Sequence, residues 1–259
     1  ALGGEEATAC VLRHAASIDP EREPERILAA IDALDSIGPS PDLEKALTEG
    51  EDLCMQIAMQ VMLRQNAEAA VPLIMQAFWN RSRDMQRNVI MELATHAGSE
   101  HQDLFMDVLE RHQDGNVLRG ALLFLGRKGE SDKVFSVICP LLDHSYDDVK
   151  EAARDALNAM NTKEVEDYFR KRTKSENDLY RLMGVYGLGH FDIDRTIDTL
   201  TEALDDASPA VRKVAVNAFG KNCPLSEDIL KRVETKLNDE NRTVRMAVFD
   251  TRGLLSDQS

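Results

Sequence analysis

The sequence predicts an all-α chain, a right-handed α-solenoid in which antiparallel helix pairs stack into a superhelix. Three observations predict it. A segment recurs at intervals of 30 to 33 residues, apolar residues fall at helical spacing within each copy, and capping residues stand where each helix should begin. No stretch alternates with the two-residue period of a half-buried strand for long enough to compete. Hydrophobic residues make up 43% of the 259 positions and aromatics only 5%, so the core must be filled mainly by Leu, Val, Ile, Ala and Met. That supply suits helix packing.

Taken in order, residues 4–17 and 24–37 predict an N-terminal capping helix pair within residues 1–39, less regular than the later units, as a terminal unit should be. Residues 40–259 predict about seven repeats of one domain spanning 1–259. The clearest copy runs from Asp206 through Ser208-Pro209, Val211-Arg212 and Ala215 to Gly220. Its neighbour is Asp239 through Val244-Arg245 to Val248, and an upstream copy runs from Asp143 through Val149-Lys150 to Ala156. Carrying the interval backwards places the apolar anchors at Leu53, Met85, Leu118, Val149, Leu179, Val211 and Val244. The Met85 register also admits a one-residue shift that would put Arg87 in the arginine slot. A second amphipathic stretch precedes the anchors, as in 70–78, 104–109, 134–142 and 197–204, so each unit holds two helices. Ser40-Pro41 and Ser208-Pro209 put a capping hydroxyl before a proline whose missing N–H costs nothing at the first helical position. Ser145 to Asp148 and Ser175 to Asp178 have capping-box spacing.

The Asp, the Val-Arg pair and the spaced alanines of these copies resemble the HEAT-repeat family, in particular the short bacterial HEAT-like repeats also found in phycobilisome lyase subunits. In such arrays Asp and Arg pair as a structural ladder. The resemblance therefore implies that Asp206 with Arg212, and Asp239 with Arg245, are structural groups. It also implies a non-catalytic scaffold or adaptor that binds a partner protein along its concave face. The alternative it carries is a bilin lyase-like enzyme subunit, or a chaperone acting on a tetrapyrrole-bearing protein.

The formal charge is −15, with residues 1–130 carrying 22 acids against 12 Lys/Arg. Such a surface repels phosphate backbones and anionic membranes, which argues against nucleic acid and favours a protein partner that is basic or presents an amphipathic helix. Self-association is compatible with the same composition. Cys10, Cys54, Cys139 and Cys223 lie far apart without C-x-x-C spacing, and predict buried thiols in a reducing, cytoplasmic setting. No apolar run approaches the roughly 20 residues of a membrane span, and the first residues lack the pattern of a signal peptide.

No catalytic residue, metal site or cofactor is expected. None of the six histidines precedes a glutamate, whereas deoxyhypusine hydroxylase, a HEAT-like enzyme, binds iron through His-Glu dipeptides. His190, Asp192 and Asp194 could supply metal ligands, but a polar turn with Asp194 as helix cap is the simpler reading. Arg170-Lys171-Arg172 predicts a solvated helix end favoured by the macrodipole. Trp79 beside Phe78 predicts packing at a repeat junction.

The register also nominates a surface. At 100° per residue, positions two, six and nine after the anchor point away from the core. In the early repeats these are Met55, Met59, Met62, Met91 and Phe124, flanked by the cations Arg87, Arg181 and Lys213. Flexible Met side chains in an open groove suit an apolar partner helix. Burial under the N-terminal helices or a second subunit is the competing expectation.

Overall fold

The computed structural model describes residues 4–130, 132–221 and 225–256, and the described residues hold helices and turns but no strand. They form two compact units, Ala1–Ala156 and Leu157–Ser259, whose boundary falls inside one helix.

In the first unit, α1 (Gly4–Ala15) and α2 (Pro24–Ile37) form the expected terminal pair, followed by α3 (Pro41–Glu49) and α4 (Asp52–Phe78). Ser40 caps α3, its Oγ accepting from the Asp42 N–H, with Pro41 at the first helical position. Although continuous by hydrogen bonding, α4 is two helices joined at Asn66, where φ −160 and ψ 90 break the helical path. The Asn66 side chain accepts from the Ala69 N–H and so starts the second segment. That segment, carrying Ala70 to Phe78, opens the next repeat as the sequence predicts. Then come α5 (Arg83–His96), α6 (Gln102–Arg111), α7 (Gly115–Lys128), α8 (Asp132–Ile138) and α9 (Asp147–Met160). Helix α7 packs on both α5 and α6, so the second helix of each repeat touches its own partner and the preceding repeat. Asn161 ends α9 with a positive φ of 48, the left-handed stop that asparagine tolerates.

The second unit holds α10 (Lys163–Arg172), α11 (Asp178–Leu188), α12 (Ile193–Ala203), α13 (Pro209–Lys221), α14 (Glu227–Glu234) and α15 (Arg242–Ser256). Helices α11, α13 and α15 pack in series, with α10 against α11 and α12 against α13. Glycine sets the closest approach. A Cβ on Gly184 would stand 2.7 Å from the Phe169 carbonyl oxygen and 2.7 Å from the Thr173 nitrogen, so α10 and α11 meet where a side chain has no room. Few aromatics suffice because they are well placed: Phe78, Phe105, Phe124, Phe169, Phe191 and Phe219 are fully buried.

Three sequence expectations change locally. Asn177, not Ser175, caps α11 by accepting from the Leu179 N–H, because the helix starts later than the capping-box spacing implied. Asp192, not Asp194, caps α12. Cys10 is exposed rather than buried, while Cys54 is buried and Cys139 intermediate. Cys223 lies outside the described residues.

Candidate partner-binding cleft

The arginines next to the anchors are held by a repeated geometry. Arg212 on α13 donates from Nε and Nη2 to the two carboxylate oxygens of Asp239, at 2.8 and 2.9 Å, and from Nη1 to the carbonyl oxygens of Asp206 and Ala207, at 2.8 and 3.1 Å. Arg181 on α11 repeats this. It forks onto Asp206 at 2.7 and 2.9 Å while Nη1 donates to the Ser175 and Glu176 carbonyls at 3.0 and 2.9 Å. In the first unit Arg87 on α5 forks onto Asp114 at 3.2 and 2.6 Å. Each aspartate also accepts main-chain N–H groups at the start of the following helix: Ser208 for Asp206, Asn241 for Asp239, Asn116 and Val117 for Asp114. One carboxylate thus caps a helix and receives the preceding repeat's guanidinium. The Arg87 fork, helped by those N–H groups, lowers the Asp114 pKa to about 2 against the opposing effect of burial. Arg212 likewise holds Asp239 below the usual carboxylate range despite burial, and at Asp206 burial opposes ionisation but Arg181 outweighs it.

The ladder therefore runs forward by one repeat. Arg212 meets Asp206 only through its main-chain carbonyl and gives its fork to Asp239. This corrects the pairing of Asp206 with Arg212 and of Asp239 with Arg245. Geometry explains it, since the start of a helix lies beside the neighbouring repeat's helix, not above its own.

The same geometry corrects the register. Arg87 and Arg181 fill the slot of Arg212, so the anchors are Gln86 and Tyr180, and Leu179 is 57% exposed. Counted from Gln86, positions three, four, seven and eight later are Val89, Ile90, Leu93 and Ala94, all buried. Of the nominated surface, Arg87 and Arg181 thus belong to the ladder. Met55 and Met59 are buried because α1, α2 and α3 all pack on α4. Phe124 is buried with its ring stacked 3.7 Å from Phe105 of α6. Met62 is half-buried, and Met91, 46% exposed, and Lys213 remain open. The structure does not bring these residues into one patch.

It opens a different site in the first unit. A cleft of about 570 Å³ lies at the start of α5 and at the α6–α7 turn, lined by Arg83, Arg87, Arg111, His112, Asp114 and Asn116, with Tyr146 and Asp148 on its rim. Arg111 is fixed by its guanidinium carbon 4.1 Å from the Trp79 ring centroid and by a 2.6 Å bond to Asp107. Trp79 is accordingly the packing residue expected, wedged against Phe78 and His112. His112 Nδ1 accepts the Asp114 N–H at 3.1 Å, leaving Nε2 to donate to Gln86 Oε1 at 3.1 Å, and Gln86 Nε2 donates to the Phe78 carbonyl at 3.1 Å. Burial lowers the His112 pKa and Arg83 lowers it further, against the pull of Asp114, so the imidazole is neutral at pH 7. Arg87 is neutralised by Asp114, whereas Arg83 is exposed and has no ion-pair partner among the described residues. The arrangement offers cation, N–H donor and aromatic surface, with no activated nucleophile beside a base. Sequence reasoning missed Arg83, Arg111, His112 and Tyr146, because only the turn between α6 and α7 assembles them.

Two other motifs are structural. Arg170 donates to Glu166 at 2.7 Å and to the Arg195 carbonyl at 2.8 Å, Arg195 also pairs with Glu166, and Arg172 lies over the rings of Tyr168 and Tyr180. Arg170 and Arg172 are therefore stitched to neighbouring groups, Arg170 through the buried Glu166, while Lys171 is exposed as expected of a helix end. His190 sits with Nδ1 2.9 Å from the Tyr186 carbonyl oxygen, and Asp192 serves as the α12 cap, so neither is arranged as a metal ligand.

With that geometry in place, the comparisons with known proteins are consistent. Residues 70–158 match the family model for HEAT repeats. No curated protein matches the chain. Among solved structures, an archaeal HEAT-like repeats protein from Thermococcus onnurineus NA1 is similar over 85% of this chain and 98% of its own, with 16% identity and a TM-score of 0.51. An engineered protein covers 95% of this chain and 77% of its own at 16% identity and a TM-score of 0.43. Human deoxyhypusine hydroxylase covers 98% and 97% at 14% identity and a TM-score of 0.37.

Proposed function

We propose that this chain, which belongs to the HEAT-repeat proteins, is a protein-binding scaffold whose first unit receives an acidic segment of its partner in the cleft beside α5 and α7. Repeat solenoids serve many purposes, so the proposal rests on the site and not on the fold. The observation that carries it is a cleft that concentrates guanidinium groups on a chain of formal charge −15. Arg87 is paired with Asp84 and Asp114 and Arg111 with Asp107, which leaves Arg83 as the cleft arginine without an ion-pair partner among the described residues. One carboxylate of an extended peptide would meet Arg83 and a second would compete with Asp107 for Arg111, while an apolar side chain covers Tyr146, which is 55% exposed. The expectation of a basic partner, drawn from net charge, still applies to the surrounding acidic surface.

The test is direct. Fluorescently labelled poly-Glu and poly-Lys peptides of equal length, each carrying one Trp, are titrated against the chain at low and physiological salt. Preferential poly-Glu binding that weakens about tenfold in an Arg83→Glu, Arg111→Glu variant, about 1.4 kcal/mol, is the expected result. Equal binding by the variant, with its helical circular dichroism intact, would refute the cleft. Uptake of free bilin with its spectral shift would instead favour the tetrapyrrole reading.

A further inference from the structure

The turn that joins α10 to α11 in the second unit borders a cleft of about 510 Å³, lined by Tyr168, Lys171, Arg172, Lys174, Ser175 and Tyr180. On a chain of formal charge −15, the stretch from Tyr168 to Ser175 holds four Lys/Arg and no Asp or Glu. Asp167 and Glu176, the acids on either side of it, do not line the cleft. Arg172 is held in place: its guanidinium carbon lies 4.9 Å from the Tyr168 ring centroid and 4.5 Å from that of Tyr180, and Nη1 lies 3.5 Å from the Met183 sulfur. It therefore acts as a spacer between two rings, one from each helix.

Lys171 and Lys174 are exposed and have no ion-pair partner among the described residues. A helix C-terminus ordinarily accounts for such cations, because its last carbonyl groups lack donors. Here the carbonyls from Phe169 to Arg172 already have donors. The Thr173 N–H serves Phe169 and the Thr173 hydroxyl serves Arg170, while the N–H groups of Lys174 and Ser175 serve Lys171 and Arg172. Arg181 covers the next two free carbonyls of the turn, those of Ser175 and Glu176. The two ammonium groups are thus left without a capping role, beside two half-buried tyrosines that keep part of their ring surface in the cleft. Ser175 Oγ accepts the Asn177 N–H at 3.2 Å, which leaves its hydroxyl proton to donate.

We propose that this cleft binds a nucleoside phosphate, with the phosphate on Lys171, Lys174 and the Ser175 hydroxyl and the base against the tyrosine rings. The charges match, since two ammonium groups offset a phosphate monoester of about −1.5 to −2 at neutral pH, whereas a single carboxylate would leave one cation unmet. The volume suits a ligand of that size. Stacking tolerates any base, because every base has a π face and no amide side chain lines the cleft to read a base edge. A single nucleotide fits better than a nucleic acid strand, because the cations end at Lys174 and the acids Glu176 and Asp178 that follow repel further phosphates.

Calorimetric titration of the full chain with AMP, adenosine and inorganic phosphate supplies the test. AMP should bind at least about tenfold more tightly than either fragment. A Lys171→Glu, Lys174→Glu variant should weaken AMP binding about tenfold or more with its circular dichroism unchanged, because both side chains are exposed. Phosphate that binds as tightly as AMP, AMP affinity that survives the double substitution, or no AMP binding at millimolar concentration would each overturn the proposal. Capture of a phosphotyrosine peptide without AMP would make the occupant a modified protein and overturn it too. The site stands apart from the peptide cleft of the first unit, so the Arg83→Glu, Arg111→Glu variant should keep its AMP binding. Loss of AMP in that variant would place the nucleotide in the first unit and reject this cleft, while leaving the peptide assay to be judged on its own.

Discussion

The segment of α4 from Asp52 to Gln65 and helix α13 hold the same place in their repeats and are secured by different forces. On α4, Cys54, Met55, Ile57, Ala58, Met59, Val61 and Leu63 are all buried, so apolar residues occupy nearly every side of the helix. The one arginine on that segment, Arg64, meets Asp32 at 3.0 Å in an exposed pair, and Arg81 donates to the main-chain carbonyls of Gly50 and Leu47 at 2.6 and 2.7 Å, so neither makes a buried fork. On α13 the buried stripe is Val211, Ala215, Val216, Ala218 and Phe219, and the contact to the next repeat is completed by the Arg212 fork on Asp239. A helix wrapped on several sides needs volume, for which methionine is suited because it is unbranched and adapts to irregular gaps. A helix sandwiched in a regular stack can use small residues and a directional pair, which fixes register as well as contact.

The largest effect is expected where charge enters the wrapped part of α4. Met59→Asp buries a carboxylate with no partner and should destabilise the first unit by more than about 4 kcal/mol, seen as an early transition in urea. A folded variant with an unchanged midpoint would mean that this side of α4 is open after all. The second effect concerns α13. Arg212→Ala leaves Asp239 buried and unpaired, since the two side chains are only 8% and 6% exposed, and should cost about 3 kcal/mol. Arg212→Met with Asp239→Leu should recover most of that loss, because a packed apolar pair avoids the desolvation penalty. The smallest effect is on acid stability. Asp114, Asp206 and Asp239 have folded pKa values depressed below their unfolded values, so their contribution is present above about pH 4 and is lost as the pH falls through the folded pKa, which for Asp114 is about 2. Thermal midpoints measured from pH 5 to pH 2 should fall through that window, and Asp239→Asn should flatten the fall in its own region. An unchanged acid profile in that variant would remove the pair from the stability of the stack.

The fold is legible in the sequence where local chemistry repeats. Val211 and Val244, each succeeded by arginine, define the register without help, and Ser40-Pro41 marks the start of α3. Two anchors shift by one residue, at Met85 and Leu179, because both have an apolar residue beside a polar or aromatic occupant of the true slot, Gln86 and Tyr180. Apolar character alone cannot separate adjacent positions when both lie near the edge of a buried stripe. The arginine fork can, since it must reach one particular carboxylate.

The candidate surface is less legible for a related reason. A helical wheel gives the direction of Met55, Met59 and Phe124 from the helix axis, but burial depends on which other elements pack there. Periodicity, capping and small-residue packing act within one unit and its neighbour, so the helix-pair repeat is set by the local sequence alone. Which sides stay open is settled at the tertiary level, by the covering of α4 by α1 to α3 and the gathering of Arg83, Arg111 and Tyr146 into one cleft. These depend on contacts between residues far apart in the chain, and no local pattern encodes them.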